Sequence, residues 1–185
     1  MEPIKLVVIV GSLRKASINR KLATALERML PDGIQASRAG IGELPLYNQE
    51  YDADFPAPAT AFKAAIEAAD ALLFVTPEYN HSIPGVLKNA IDFASRPAGR
   101  SSFGGKLAAI AGASPGRTAS ALSQQHLRNV LAAMGVLTMP TPEALVQFSE
   151  GLIDDEGRIN DERTRTALQK FIDSYVQWLQ VQLRR

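Results

Sequence analysis

The chain has 185 residues, of which 46% are hydrophobic and 21% are charged, with 20 basic and 19 acidic side chains and no cysteine. This length and composition fit one domain with its own core, and we expect a single domain over residues 1–185. The balanced charge argues against nucleic-acid binding, and the lack of cysteine excludes disulfides, thiolate catalysis and Cys-ligated metals. There is no apolar stretch long enough to span a membrane and no signal-peptide pattern, so we expect a cytoplasmic location.

Five apolar runs of strand length alternate with helical patterns along the chain. The first run, residues 6–10, is unbroken and rich in β-branched residues, which is typical of a parallel strand covered on both faces. In the helical pattern that follows, Ile18, Leu22, Leu26 and Met29 recur at intervals of four, four and three residues. The predicted strands are 6–10, 34–39, 71–75, 106–111 and 136–139, and the later helical patterns cover 62–69, 86–94, a stretch ending near 134, and 168–179.

This alternation predicts an α/β protein in which a parallel sheet is covered by helices through right-handed crossovers. Five strands fit a flavodoxin-like, three-layer, doubly wound fold with a five-stranded parallel sheet in the order 2-1-3-4-5. In such a sheet, ligands bind beyond the carboxyl ends of the strands, at the switch point between strands 1 and 3. The loops after strands 1, 3 and 4 are therefore predicted to form one cleft.

The first loop, residues 11–19, is rich in hydroxyl and amide side chains and leads from a strand into a helix. Ser12, Ser17 and Asn19 are short donors suited to a phosphate, and Arg14 adds positive charge. The alternative is an ordinary strand-to-helix turn in which Ser17 caps the helix and the basic side chains are solvated. Neither the Walker spacing nor the dinucleotide-binding G-x-G-x-x-G occurs here, so neither of those phosphate-binding classes is supported.

The second loop, residues 77–85, has two prolines and a glycine that restrict its backbone, and Tyr79 offers a stacking face. Rigid backbone amides beside an aromatic ring suit a flat heterocycle such as a flavin. The alternative is a tight turn in which Tyr79 packs at the rim. The third loop, residues 112–117, contains Ser114 and follows the fourth strand, so it is expected at the far side of the same cleft.

Two motifs resemble those of the NADPH-dependent FMN reductase family. They are Gly-Ser-Leu-Arg-Lys-x-Ser-x-Asn at residues 11–19 and Thr-Pro-Glu-Tyr-Asn-x-Ser-x-Pro-Gly-x-Leu-Lys-Asn-Ala-Ile-Asp at residues 76–92. The resemblance extends over nearly the whole chain, including residues 44–48 and 125–128. The family includes bacterial quinone, chromate and azo-dye reductases, which implies FMN as cofactor and NADPH or NADH as co-substrate.

The resemblance also implies a site built from the three loops. The first loop would hold the FMN phosphate, the second would line the isoalloxazine ring, and the third would reach its pyrimidine side. Family members are commonly homodimers or homotetramers with FMN near a subunit interface, which would place Tyr47 and Asn48 in that neighbourhood. His81 stands where many relatives carry an aromatic residue, which bears on substrate preference. The implied cofactor-binding residues are Ser12, Leu13, Arg14, Ser17, Ile18, Asn19, Pro77, Glu78, Tyr79, Asn80 and Ser114.

The leading functional hypothesis is a flavoenzyme that passes a hydride from NAD(P)H through FMN N5 to a quinone in a ping-pong cycle. It needs no catalytic side chain, because the cofactor performs the chemistry. We expect the helix start after the third loop to stabilise negative charge on the flavin. Two alternatives are a flavodoxin-like electron carrier and a hydrolase that uses Ser12 with a histidine as base. We interpret His81 as a solvated rim residue and His126 as helix packing or interface, and two histidines without cysteine make a poor metal set.

Overall fold

The computed structural model describes residues 2–183, in which five α-helices flank one parallel sheet. Long apolar runs form the strands, and amphipathic stripes form the helices between them. The elements in chain order are β1 (Ile4–Val10), α1 (Ile18–Arg28), β2 (Ile34–Arg38), a short 3-10 helix (Gln49–Asp52), α2 (Ala57–Ala68), β3 (Ala71–Val75), α3 (Gly85–Ala94), β4 (Leu107–Ser114), α4 (Ala121–Ala133), β5 (Leu137–Thr138), β6 (Ala144–Gln147) and α5 (Glu162–Leu183).

The strand order β2-β1-β3-β4-β5 confirms the predicted flavodoxin-like, doubly wound arrangement, and every pairing is parallel. The sheet has one strand more than the five predicted: β5 lies within the predicted fifth strand at 136–139, and β6 is an additional strand that follows it. β5 pairs with β4 at Leu107 and Ala108, and β6 pairs with it from Ala111 to Ser114. The connection between β5 and β6 includes Pro140 and Pro142, which have no N–H to donate to a ladder and so interrupt the strand.

β4 runs three residues beyond its predicted end at residue 111. The residues expected to begin the third loop, Gly112 to Ser114, continue the strand because β6 pairs with them in register. The Asn19 side chain also binds both backbone groups of Ala113, with each N···O distance 2.9 Å. The third loop is therefore shorter than predicted, and Ser114 lies at the end of a strand.

The sheet separates two apolar layers. α1 and α5 cover one face, where the predicted α5 stripe of Leu168, Ile172, Tyr175 and Leu179 is fully buried. α2, α3 and α4 cover the other face. The Tyr175 hydroxyl donates to the Leu72 carbonyl at 2.7 Å, and burial raises the pKa of that hydroxyl far above its ordinary value. Within residues 2–183, no helix combines the length and apolarity needed to cross a membrane.

Candidate functional site

The candidate site is a cleft at the carboxyl ends of β1, β3 and β4, where the three loops meet. Most of the predicted residues line one cavity of about 80 Å³ there. Asn80 lines an adjoining cavity of about 460 Å³, which shares Glu78 and Ser114 with the first one. Leu13 lies on the other side of Ser12, in a separate cavity. The predicted residues around the cleft cavity are Ser12, Arg14, Ser17, Ile18, Asn19, Pro77, Glu78, Tyr79 and Ser114.

The first loop presents backbone donors that the protein does not use. Among the described residues, the amides of residues 12–16 donate no hydrogen bond that meets normal geometry. Ser17 caps α1, since its backbone is extended and its hydroxyl oxygen accepts the Arg20 N–H at 3.3 Å. This confirms the predicted cap. The Ser12 hydroxyl has no protein partner within residues 2–183 and borders the cleft. Free amides and a helix start together favour an anion.

Asn19 is a clamp between α1 and β4. Its side chain is buried, accepts the Ala113 N–H and donates to the Ala113 carbonyl. Only one side-chain hydrogen of Asn19 then remains for any other partner. The clamp fixes the start of α1 against the end of β4, and this sets the spacing between the first and third loops.

A two-residue turn forms the tip of the second loop. The N–H of Tyr79 and the N–H of Ser82 each donate to the other residue's carbonyl at 3.0 Å. Asn80 and His81 have φ values of 51° and 62°, the left-handed region that such a turn requires and that glycine usually supplies. Non-glycine residues in this region cost of order 1–3 kcal/mol each and are most common at functional sites. The turn leaves the Tyr79 side chain about half exposed beside the cleft.

Glu78 caps α4 from outside the helix. One carboxylate oxygen accepts the N–H groups of Leu122 and Ser123 at 3.0 and 3.1 Å, and the other lies 3.3 Å from Nδ1 of His81. The amides at the start of α4 are thus already paired with a carboxylate. The expectation that this helix start stabilises charge on a flavin stays a prediction, and it has less support because two of the amides already have an acceptor.

The base of the second loop is fixed by a buried polar cluster. The hydroxyls of Thr76 and Ser123 both donate to the Pro77 carbonyl at 2.9 Å. Gly112 allows this packing, because a Cβ there would lie 2.3 Å from the Thr76 carbonyl oxygen and from Oγ of Ser120. Sequence reasoning missed Thr76, Ser123 and Gly112. The glycine after an apolar strand was the one available signal, since glycine often marks a close approach of two chain segments.

Tyr47 and Asn48 have contacts within the chain. The Tyr47 hydroxyl donates to Asp52 at 2.9 Å and accepts from Arg96, which also forms an ion pair with Asp52. Burial and the hydrogen bond to Asp52 raise the pKa of the Tyr47 hydroxyl. Asn48 caps the short 3-10 helix by accepting the N–H of Glu50.

The two histidines do not provide a base for Ser12. His81 is exposed and faces Glu78, and His126 is exposed on α4 with Nδ1 3.0 Å from Oγ of Ser82. Of the two roles predicted for His126, packing within the helix layer is therefore wrong, and a place at an interface stays a prediction. The hydrolase alternative lacks its nucleophile–base pair in the part of the chain that is described. No cluster of three or more potential metal ligands occurs there either.

A larger groove lies elsewhere on the molecule. It has a volume of about 1010 Å³ and runs between the second half of α1, residues 157–160 and α5. It shares no residue with the cleft. Among its charged side chains, Arg165 is paired with Glu162, and Arg158 is paired with Asp154 just outside the groove. The cleft is the better candidate because its backbone donors are unpaired.

Comparisons with known proteins agree over most of the chain. Residues 4–151 match the family described as NADPH-dependent FMN reductase. The 2-hydroxy-1,4-benzoquinone reductase of a Burkholderia species is 50% identical over 176 residues, covering 95% of this chain and 96% of that protein. A quinone reductase of Pseudomonas putida is 43% identical, covering 94% of each chain. The solved structure of FerB, a flavoenzyme NAD(P)H:(acceptor) oxidoreductase from Paracoccus denitrificans, matches with a TM-score of 0.92 and 42% identity, covering 97% of this chain and 98% of that one.

Proposed function

The chain belongs to the NADPH-dependent FMN reductase family, and from this we propose that it is an FMN-dependent NAD(P)H oxidoreductase acting on quinones. One observation carries the proposal: nine of the eleven residues implied by the motifs line a single cleft at the switch point of the sheet. Bound FMN would supply the ring that accepts a hydride and passes electrons on. Donor and acceptor would use the same cleft in turn, in a ping-pong cycle.

The donor set of the first loop fits a phosphate. The amides of residues 12–16, the hydroxyls of Ser12 and Ser17 and the guanidinium of Arg14 are all hydrogen-bond donors. The carboxylate that lines the cleft cavity, that of Glu78, accepts the N–H groups at the start of α4, which reduces its opposition to an anion. We infer that this loop binds the FMN phosphate, with Leu13 and Ile18 supplying backbone and apolar contacts and Asn19 one remaining donor.

The second and third loops fit a flat ring. Pockets for cofactors and other small molecules have volumes of about 300–1,000 Å³. The cavities of about 80 and 460 Å³, which both include Glu78 and Ser114 in their walls, together have a volume in that range. Tyr79 offers a half-exposed face, and Asn80 and Ser114 offer polar groups for the ring edge. Pro77 and the buried cluster below it hold these groups in place. The role of the protein is to orient donor and acceptor against the ring.

The electron-carrier alternative has less support. A carrier docks to its partners largely by charge, whereas this chain has a net charge of +1. The relatives at 50% and 43% identity are named as reductases. We therefore propose that the chain oxidises NAD(P)H itself.

Self-association and a cytoplasmic location are further parts of the proposal. Leu46 is 85% exposed beside Tyr47 and Asn48, in the neighbourhood where the family places its subunit interface. We infer a homodimer or homotetramer that uses this surface. Light scattering on the wild type and on Leu46→Ser tests this interface. The oligomer of the variant is expected to dissociate at higher protein concentrations than that of the wild type. If wild type and variant have the same mass at every concentration, the surface around Leu46 is not the interface.

A visible spectrum of the purified protein tests the cofactor and the reaction together. We expect a yellow protein whose colour NADPH or NADH removes without oxygen and a quinone restores. Steady-state rates should give the parallel double-reciprocal lines of a ping-pong cycle, and chromate is assayed beside the quinones. A colourless protein that does not take up added FMN would falsify the proposal.

The phosphate assignment has its own test. Ser12→Ala combined with Arg14→Gln is expected to weaken FMN binding at least tenfold, because charged and hydroxyl donors to a phosphate are lost. Ser12 makes no hydrogen bond within the described residues, so the fold should not change. Ser149→Ala, an exposed serine outside the cleft, is the matched control. Unchanged FMN affinity in the double variant would remove the phosphate from the first loop.

A further inference from the structure

A groove of about 410 Å³ lies next to the cleft, between the first half of α1 and the edge strand β2. It opens at the carboxyl ends of β1 and β2, the edge of the sheet at which ligands bind in doubly wound folds. Ser12 lines both the groove and the cleft, so a ligand is able to extend from one into the other. Apart from Ser12 and Leu13, which the proposed FMN phosphate site shares, no residue that lines this groove has a function assigned above.

Two guanidinium groups line the groove. Arg38 is held by Glu27, with Nε and Nη2 donating to the two carboxylate oxygens at 2.7 and 2.6 Å, and its Nη2 also donates to Thr24 at 2.8 Å. The hydrogen bonds to Glu27 raise the pKa of Arg38, so it stays charged. Its Nη1 has no partner within residues 2–183. Arg38 is therefore a fixed cation with one donor nitrogen to spare.

Arg20 is the second cation and is not engaged by the protein. It lies one helical turn before Thr24 on α1, on the side of the helix that Arg38 contacts. Its side chain is exposed and forms neither an ion pair nor a hydrogen bond with any described residue. Two neighbouring guanidinium groups, one fixed and one free, match the oxygens of a phosphate.

The rest of the groove is neither uniformly basic nor uniformly polar. Glu43 also lines it, and a carboxylate is a usual partner for ribose hydroxyls in dinucleotide sites. Leu13, which is 48% exposed, and the partly buried Val10 supply an apolar surface suited to a base, whereas Val8 and Ile41 are buried. An added Cβ at Gly40, which lines the groove, would meet no atom within 4 Å, so there is space beside this residue. The groove thus combines contacts for a base, a sugar and a phosphate.

We propose that this groove binds the 2′-phosphoadenosine end of NADPH, with Arg20 and Arg38 on the 2′-phosphate and Glu43 on a ribose hydroxyl. This inference rests on the proposed function, which supplies the co-substrate, and adds a preference for NADPH over NADH. Arg20 is the specificity-determining residue, because Glu27 offsets most of the charge of Arg38.

Binding of nucleotide fragments tests the groove without any turnover. Adenosine 2′,5′-bisphosphate and 5′-AMP are titrated calorimetrically into the FMN-loaded protein. We expect the bisphosphate to bind the wild type at least tenfold more tightly, and Arg20→Gln to abolish that preference. Arg163→Gln, an exposed arginine on α5, is the matched control and should keep it. Equal binding of the two fragments to the wild type, or an undiminished preference in Arg20→Gln, would overturn the inference.

Kinetics of the holoenzyme separate this inference from the proposed function. In Arg20→Gln, the ratio of KM for NADPH to KM for NADH is expected to rise about tenfold, the loss of one charged hydrogen bond. If the wild type oxidises both nucleotides but Arg20→Gln leaves this ratio unchanged, the groove assignment is wrong and the function stands. If the wild type oxidises neither nucleotide, the proposed function is wrong, and the fragment titration still decides the groove.

Discussion

The two ends of the sheet differ in whether their polar backbone groups have partners within the protein. At the amino ends of the strands, lysine ammonium groups donate hydrogen bonds to the carbonyl oxygens at which helices end. Lys106 donates to the carbonyls of Glu67 and Ala69 at the end of α2, at 2.9 and 2.6 Å. Lys63 closes the end of α3 and the segment after it, with Nζ donating to the carbonyls of Ala94, Arg96 and Arg100 and to Oγ of Ser102.

At the carboxyl ends, amides of the first loop stay unpaired within residues 2–183, although Glu78 caps the start of α4. The amides of residues 12–16 have no partner in the described chain, and Asn80 and His81 hold a left-handed turn without glycine. Helix ends need partners for their orphan groups, and charged side chains provide them efficiently. The lysines at the amino end thus stabilise the fold, and the unpaired amides of the first loop at the carboxyl end remain available to a ligand. Substitutions at the amino end should lower stability and spare FMN binding, and removal of the unpaired donors of the first loop should weaken FMN binding and spare stability.

The largest effect is expected where the carboxyl end is closed. Gly112→Ala places a methyl group 2.3 Å from the Thr76 carbonyl oxygen and from Oγ of Ser120. Overpacking of this kind costs about 3 kcal/mol of unfolding free energy or prevents folding, because backbone has to move. Urea unfolding and soluble yield measure it. Gly104→Ala, where an added Cβ meets nothing within 4 Å, is the control and should change little. Equal stabilities would mean that the second loop is not fixed at its base.

Lys63→Met tests the amino end directly. It removes the ammonium group from three carbonyls and a hydroxyl, and the free energy of unfolding should fall by about 2 kcal/mol. FMN affinity should not change, since Lys63 lies at the opposite end of the sheet. Lys88→Met breaks only an exposed i,i+4 pair with Asp92 and is expected to cost less than about 0.5 kcal/mol. Weaker FMN binding in Lys63→Met would break the contrast between the two ends.

Glu78→Ala tests whether the second loop depends on its cap. The N–H groups of Leu122 and Ser123 lose their acceptor, which should cost about 1–2 kcal/mol of unfolding free energy. The loop also loses its link to α4, so FMN should bind more weakly as well. Glu150→Ala, at an exposed site, serves as control. A fall in stability with no change in FMN affinity would show that the loop keeps its shape without this contact.

The smallest effect is expected at the start of α5, which belongs neither to the amino-end lysine contacts nor to the loops of the cleft. Asp161 accepts the N–H of Thr164 at 2.7 Å, and its hydrogen bonds to Thr164 hold the pKa of the carboxyl below its ordinary value. A depressed folded-state pKa stabilises the protein above the unfolded pKa, and this contribution is lost as the pH falls through the folded pKa. Asp161→Ala should therefore melt slightly below the wild type at pH 7, and the gap should narrow below about pH 4. Asp161→Asn keeps the cap and should retain more of the stability; a gap independent of pH would contradict this origin.

The sequence was sufficient for the features that depend on local periodicity. The unbroken run at residues 71–75 forms β3 with the predicted bounds, and the strand order follows from the alternation of elements. The cleft followed from the rule that carboxyl ends of parallel strands share an edge. β6 was missed because its four residues alternate buried and exposed side chains and resemble a loop more than a core strand.

The contacts that shape the site were not predictable in the same way. Asn19 binds Ala113 across 94 residues, and Glu78 caps α4 across 44 residues. Contacts between residues so far apart in sequence produce no periodic pattern. The sequence of a loop therefore indicates only which ligand suits that loop, and not which distant residue its side chains bind. The turn at Asn80 and His81 lacks the glycine that usually marks it, which left asparagine as the single hint.

The divided outer strand has a consequence for how copies of this chain meet. An exposed, continuous edge strand is a template for pairing with another chain and for aggregation. Here the outer edge consists of two residues of β5, a proline-bearing interruption and four residues of β6. A strand from another molecule would find no continuous row of donors and acceptors to match. Association by strand addition is thus disfavoured at this side, which favours helix and loop surfaces such as the one around Leu46 for the self-association that we propose.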